Sequence, residues 1–531
     1  MTMEEGLHHS LLDEAFIRYR NTDGQTEQVR LPQLFIALTQ DRVRDFPALR
    51  PHQRHAWHAF LVQLAALALV RTVAAEPFET EQEWRAALLA LTPSDPDGAA
   101  WCLVTPAARP ALLQAPVPEG QIQRWKSRCY APDALDMLIT SKNHDLKSAR
   151  MRRCGAEDWL FALVSLQTQE GFLGSGNYGI SRMNGGFASR PGVGVVGEGH
   201  WGARWRRDTR TLLATRIRTA EIHGLSVDEG IALLWLVPWD GVASLAFASL
   251  DPHYIEICRR VRLQVGGDGL HAIGTGTKAA RVAAKELNGV TGDPWTPADI
   301  AAGKALTITG DGFHYKLLTE LLFGSKYRPA AAQDLGHVRP DEHFSLIAQC
   351  IVRGQGKTER YHERRIPISP KTRSLLLGGQ QPALARVAGQ RIAAIAEVRK
   401  VLWIALAVLF NNGKSDASSG DSTKDKASRF ARPFEQAEDL RFFDDLNAEI
   451  EADDDAAQRL NWLLGLVDRA EAVLRSAFEA GPRSSVQRYR ARSAGLARFD
   501  GTLRGARCPV PELASHYQHA NTSTGGNLEH T

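Results

Sequence analysis

From Gln380 to Arg504 the sequence places apolar residues at helical spacing almost without a break, and this stretch constrains the fold more than any other. The periodicity predicts helices over about 381–411, 433–451, 455–480 and 483–504. Four amphipathic helices joined by short connections and one long loop fit a four-helix bundle, here expected over 376–508. The long loop is "NNGKSDASSGDSTKDKAS" (Asn411–Ser428), whose Ser/Gly/Asp/Lys composition reads as flexible. The polar tail 509–531 is expected to be disordered. The longest apolar run, "VLWIALAVLF" (Val401–Phe410), is half the length of a membrane span and reads as a buried helix.

The residues before 376 have a different character. "RPHQRHAWHAFLVQLAALALVRTVAA" (50–75) predicts a long buried helix, 80–93 a second, and Gly155–Gln169 a third with an acidic first turn that suits the helix dipole. "SVDEGIALLWLVPWDG" (226–241) resembles a helix that breaks near Pro238. Trp101–Thr105, Leu135–Thr140 and Ala305–Thr309 are strand-like runs. Strands and helices do not alternate regularly. The fold class is therefore α+β: a large mixed N-terminal domain over 1–375 followed by the C-terminal four-helix bundle.

Charge and cysteine usage exclude several classes. A net charge of +4 on 531 residues decides nothing about partners, so the distribution of charge must be read instead. The six cysteines are scattered and form no C-x-x-C pair, which argues against a structural zinc site and a disulfide framework. The N-terminal stretch "MTMEEGLHHSLLDEAF" is polar and lacks a secretory core. The expectation is a soluble, reduced, cytoplasmic protein with no membrane contact, no metal and no cofactor.

Three segments are candidates for binding. "TSKNHDLKSARM" (Thr140–Met151) follows a strand-like run and holds Lys142, Asn143, His144, Lys147 and Arg150, side chains suited to phosphates or base edges; a solvated turn is the plainer reading. "GFLGSGNYGISRMNGGFASRPGVGVVGEGHWG" (171–202) has 11 glycines in 32 residues. Its Gly174, Gly176 and Gly179 match G-x-G-x-x-G, but they follow a helix rather than a strand, so the dinucleotide fingerprint lacks its context. Arg182, Arg190, Arg204, Arg206, Arg207 and Arg210 lie in or near it and suggest a basic surface for a nucleic-acid backbone, with a loop packed on its own domain as the equal alternative. "VRGQGKTERYHERRIPISPKTR" (Val352–Arg373) has seven Lys/Arg against two Glu, and its Arg353–Thr358 reads as a tight glycine turn with a polar tip, or a solvated hairpin. It is no P-loop, because positions 351 and 352 are Ile and Val. Metalloprotease, nucleophile-elbow and EF-hand motifs are missing, which lowers the odds of an enzyme.

The order of these features resembles the CasA family, the large subunit of the type I-E CRISPR Cascade complex. The resemblance rests on "LAALAL" (Leu64–Leu69), "LDMLITSKNHDLKSARM", "WLFALVSLQTQEGFLGSGNYGISRMNGGFASRPGVGV", "LLWLVPWDG…LDPHYIEICRRVRL" (Leu233–Leu263), "GDPWTP" (Gly292–Pro297) and the helical C-terminal region. It is most specific over 135–263.

Such a resemblance implies a non-catalytic subunit of an RNA-guided complex. That subunit recognises the protospacer-adjacent motif of double-stranded DNA from the minor groove, wedges the duplex open so that the guide can pair, and helps recruit a helicase-nuclease. The implied partners are target DNA, CRISPR RNA through the complex, other Cascade subunits and the helicase-nuclease effector. By position, the family's minor-groove loop falls on Ser141–Lys147, giving Lys142, Asn143, His144 and Lys147 as motif readers. The glycines expected there are replaced by Lys-Asn-His-Asp. The wedge hairpin falls on Gln355, Gly356, Lys357 and Thr358. Lys278 in "GTGTKAAR", together with Arg182 and Arg353, gives possible further DNA contacts. The competing reading is a stand-alone metal-dependent nuclease using His144, Asp145 and nearby acids.

Overall fold

The computed structural model of the chain describes residues 6–118, 121–137, 154–185, 189–337, 342–354, 357–415, 420–505 and 508–525, with the backbone alone at 354, 357–359 and 520–525. Two compact units emerge. The first comprises residues 1–313 and 326–366, and the second comprises 314–325 and 367–531. The division thus falls at Ile366/Pro367, ahead of the expected 375, and a short earlier segment belongs to the second unit.

The first unit is built around helices α1 (Leu31–Thr39), α2 (Arg54–Arg71), α3 (Glu81–Ala90), α4 (Ala156–Gln169) and α5 (Trp201–His223). Helix α2 is buried on every side from His55 to Leu69, which is why its sequence is apolar all round rather than striped. Aromatic rings fill the space beside it: Phe35 lies 4.5 Å from Trp84 and 5.6 Å from Trp205, centroid to centroid. Helix α3 starts at a capping box, with the Thr80 hydroxyl accepting from the Glu83 amide.

The strands form small separate sheets. The strands used below are β1 (Ser127–Cys129), β2 (Gly192–Val196), β3 (Arg260–Gly266), β4 (Gly269–Thr275), β5 (Ser345–Gly354) and β6 (Lys357–Pro367). Of the four three-stranded sheets among the described residues, one has the order β3-β4-β1 and another β6-β5-β2. Hairpin β3–β4 is in register from Arg260↔Thr275 to Gly266↔Gly269. Strand β2 pairs antiparallel with β5 from Val196↔Ser345 to Gly192↔Gln349.

Several expected elements differ. Ile231–Leu233 is a strand followed by a 3-10 turn, Leu234–Leu236, not a helix breaking at Pro238. A short apolar run has no periodicity to separate the two forms. Leu135–Met137 is not extended; a 3-10 turn, Pro132–Ala134, precedes it, and the rest of that predicted strand lies outside the described residues. Of Ala305–Thr309, only Ala305 pairs, at the end of the two-residue strand Lys304–Ala305.

The second unit contains α6 (Tyr315–Phe323), α7 (Pro370–Leu377), α8 (Gln381–Phe410), α9 (Asp421–Glu451), α10 (Asp455–Ser476), α11 (Ser485–Leu503) and α12 (Pro511–Gly525). Four long helices are present, but α9 begins inside the stretch expected to be a flexible loop. Its early turns bury Ala427 and Ala431, and Phe430 sits 5.1 Å from Phe410 of α8. Apposition of small side chains and one ring contact outweigh a polar composition there. The tail expected to be disordered is helical over Pro511–Gly525: Leu513 is fully buried, and Glu512 pairs with Arg459 at 2.7 Å.

The first unit's core holds titratable groups that make its stability depend on pH. Burial holds His58 and His253 at about 4, with Arg204 adding to the effect on His58. An unfolded imidazole titrates near 6.5, so below that pH the unfolded chain binds more protons and stability falls through the window from 6.5 to 4. Burial raises the Glu256 carboxyl to about 7, which acts in the opposite sense: stability rises as pH falls from 7 towards 4.5. Burial lowers His55 and His223 as well, so the rings together outweigh the Glu256 carboxyl at pH 5. The expected result is a lower melting temperature at pH 5 than at pH 7 by circular dichroism; an equal or higher value would contradict the assignment.

Candidate nucleic-acid interface

The predicted motif readers Lys142, Asn143, His144 and Lys147, and with them Asp145, lie outside the described residues, as do Gln355 and Gly356. Lys357 and Thr358 open strand β6. The structure describes the roots from which these segments depart.

The root ahead of segment 138–153 is fixed by a buried carboxylate. Asp136 accepts from His52 Nε2 at 2.8 Å, Gln53 Nε2 at 2.9 Å and Arg50 Nη1 at 3.1 Å, and Arg50 also donates to Asp133. The root after it is the start of α4, where the Gly155 amide donates to Asp158 at 2.9 Å and Glu157 accepts from Arg18 Nε at 2.8 Å. The hairpin root is fixed by Arg353, at the end of β5. Its guanidinium forks onto Glu170 at 2.5 Å to each carboxylate oxygen and donates to the Met137 carbonyl at 3.0 Å. One arginine thus ties the strand entering the predicted wedge to the residue entering the predicted motif-reading segment.

The loop after β4 is the third element. Lys278 is exposed, with its amide donating to Gly241 O at 2.7 Å. The neighbouring Thr277 amide donates to Gly176 O at 2.9 Å, so the glycine-rich stretch lies directly against this loop. The root ahead of segment 138–153, the hairpin root and the loop after β4 line one cavity of about 470 Å³, whose walls include Asp136, Glu170, Arg353, Gly176, Gly276 and Arg259.

Two expected DNA contacts are corrected. Arg182 is 1% exposed, donates to Tyr254 O at 2.9 Å and stacks over the Tyr254 ring at 3.9 Å. Arg353 is buried in its Glu170 pair. Neither offers its charge to an outside polymer. The same holds for most arginines that suggested a basic surface. Arg190 pairs with Asp293 at 2.5 Å, Arg207 with Asp208 at 2.6 Å, and Arg206 donates to Thr39 O. Only Arg210, paired with Glu76 at 2.9 Å, is well exposed among these pairs.

The glycines serve the domain's own packing. A Cβ on Gly179 would lie 2.6 Å from the Gly171 backbone, and one on Gly192 would lie 2.3 Å from the His55 ring. The sequence reading missed Glu170 and Asp136, the acids that order both roots. Glu170 and Arg353 are 183 residues apart, and no local pattern marks such a pair.

Among the described residues, no group of three or more His, Cys, Asp or Glu comes together to hold a metal ion, and no helix is long and apolar enough to cross a membrane.

No family model matches the sequence, and no curated protein matches it. Solved structures do. Cse1 from Acidimicrobium ferrooxidans is 14% identical, with a TM-score of 0.61 over 97% of this chain and 99% of that one. Cse1 of Thermobifida fusca gives 14%, 0.60, 96% and 98%. CasA of Thermus thermophilus gives 15%, 0.59, 96% and 100%. A chain of a CRISPR RNA-guided surveillance complex aligns with a TM-score of 0.51 at 14% identity, covering 98% of this chain. The roots and hairpin described above therefore belong to a chain that has the Cse1/CasA fold over nearly its whole length.

Proposed function

We propose that this chain is the large, non-catalytic subunit of an RNA-guided Cascade complex, recognising a short motif in double-stranded DNA and opening the duplex beside it. The carrying observation is the Arg353 fork, which joins the roots of the two segments assigned to those tasks through Glu170 and the Met137 carbonyl. Full-length likeness of the fold to Cse1 and CasA proteins supports the reading. In this reading Lys142, Asn143, His144 and Lys147 face the minor groove. That groove presents mainly acceptors, which lysine and asparagine side chains match as donors. Gln355, Gly356, Lys357 and Thr358 form the wedge, whose unstacking cost of a few kcal/mol per step is offset by backbone contacts. Exposed Lys278 adds a phosphate or groove contact. The subunit works with CRISPR RNA, the other Cascade subunits and a recruited helicase-nuclease.

The test is duplex binding by the assembled complex. Lys142→Ala with Asn143→Ala is expected to weaken binding to motif-bearing duplex about 5- to 150-fold, the equivalent of one lost specific contact of about 1–3 kcal/mol. Binding to a duplex with a scrambled motif should change far less. Equal affinity of parent and variant for the motif-bearing duplex would remove these residues from the reading.

A further inference from the structure

The sheet β3-β4-β1 has an edge that the proposed function does not use. Strand β1 pairs with β4 through Cys129↔Ala272, Arg128↔Ile273 and Ser127↔Gly274, and among the described residues its other side has no strand partner. Lys126 and Arg128 are exposed along this edge, and Arg124 is exposed just ahead of it at the end of the 3-10 turn Ile122–Arg124; none has a carboxylate partner among the described residues. The surrounding sequence explains why: residues 121–132 contain no acid, and the next two acids, Asp133 and Asp136, are occupied by Arg50, His52 and Gln53. The β3–β4 hairpin has a single acid, Asp268, in its turn.

An aromatic surface adjoins these cations. Tyr130 is 71% exposed, and one ring face stacks on His271 of β4 at 5.9 Å with an interplanar angle of 24°. Burial and the nearby Arg128 push the His271 imidazole below its usual range, so the ring beneath Tyr130 is neutral at pH 7. Residues two apart in an extended chain recur on one face at about 7 Å, which places Lys126, Arg128 and Tyr130 in a row.

We propose that this edge binds an unpaired nucleic-acid strand, with Arg124, Lys126 and Arg128 on consecutive phosphates and a base stacked on the free face of Tyr130. Cations beside an aromatic face are the two requirements for single-strand binding without sequence preference. A base inside a duplex has no free face to offer, which favours the unpaired strand. Edge lysines also deter strand addition by other chains. That role needs no tyrosine held outward on a stacked imidazole.

The proposal does not depend on motif reading by 141–147, and the test separates the two. Fluorescence anisotropy of the full chain with a labelled oligo(dT) of about 12 nucleotides is measured at about 50 and 200 mM salt. Tyr130→Ala is expected to weaken binding about 5- to 100-fold, while Tyr130→Phe retains parental affinity. Lys126→Ala with Arg128→Ala is expected to weaken binding about 10-fold or more and to flatten its salt dependence. Because oligo(dT) is single-stranded and carries no duplex motif, its binding reads this edge apart from motif reading. Parental affinity in Tyr130→Ala overturns the proposal. So does equally tight, Tyr130-independent binding of poly-glutamate, which would mark the edge as a dock for an acidic protein. All the replaced side chains on this edge are exposed, so unchanged melting curves verify that each variant is folded.

Discussion

Arg353→Ala is expected to destabilise the first unit by about 3–5 kcal/mol, because it leaves Glu170 buried without its counter-charge. Urea unfolding followed by tryptophan fluorescence reads this directly. The geometry distinguishes the variants. Arg353 meets Glu170 through two nitrogens, Nη2 on both oxygens at 2.5 Å and Nε on Oε1 at 3.1 Å, so Arg353→Lys supplies charge without the second donor and should recover only part of the loss. Replacing both partners together, Arg353→Met with Glu170→Gln, removes the buried charges and is expected to be far milder than either single loss of charge. The same variant tests the functional reading. The guanidinium is buried and cannot touch DNA, yet it joins the roots of both assigned segments. Arg353→Ala should therefore weaken motif-dependent duplex binding even at temperatures where the chain stays folded. A variant with parental stability would show that the pair is dispensable.

Asp208→Ala is the second large effect, again about 3–5 kcal/mol. Asp208 is fully buried on α5, accepting from His58 Nε2 at 2.8 Å and Arg207 Nη1 at 2.6 Å, with Arg204 Nε at 3.7 Å. These partners hold its carboxyl far below the usual range against the opposing effect of burial. Removing the carboxylate leaves the largely buried guanidinium groups of Arg204 and Arg207 without the counter-charge they share. Asp208→Asn keeps an oxygen for His58 and should cost less than alanine. Equal losses for Asn and Ala would indicate that the charge is not what matters. Both should lower the urea midpoint with little change in slope, the sign of altered stability rather than altered compactness.

How much of this was legible in the sequence depends on the range of the interactions. Helices α8, α10 and α11 are long and periodic, and periodicity is a local property that a sequence displays openly. Helix α9 was legible only in its second half. Its first turns are Ser-, Asp- and Lys-rich, and what accompanies their helicity is the burial of Ala427 and Ala431 and the contact of Phe430 with Phe410 of the preceding helix, none of which local composition displays. The candidate site was legible as segments but not as an arrangement. Arginines at 182, 190, 207 and 353 looked like a surface because a guanidinium is usually solvated. Each is buried because a partner arrives from far along the chain: Tyr254, Asp293, Ala332 or Glu170. Asp208, adjacent to Arg207, was hidden for another reason, since sequence shows a carboxylate but not its burial.

The segment that contains α6 has a consequence for synthesis. Residues 314–325 belong to the second unit, while 326–366 return to the first. Helix α6 buries Tyr315, Leu318, Leu321 and Phe323; its Tyr315 amide donates to Asp439 at 2.6 Å, and Lys316 pairs with Glu435 at 2.8 Å. Those partners leave the ribosome more than 110 residues after α6 does. At about 5–20 residues per second, the apolar face of α6 waits several seconds or longer for the helices that cover it. Helix α8 also packs on this face, so a nascent chain stalled between 326 and 380 carries it uncovered, and so does any fragment cut at Ile366.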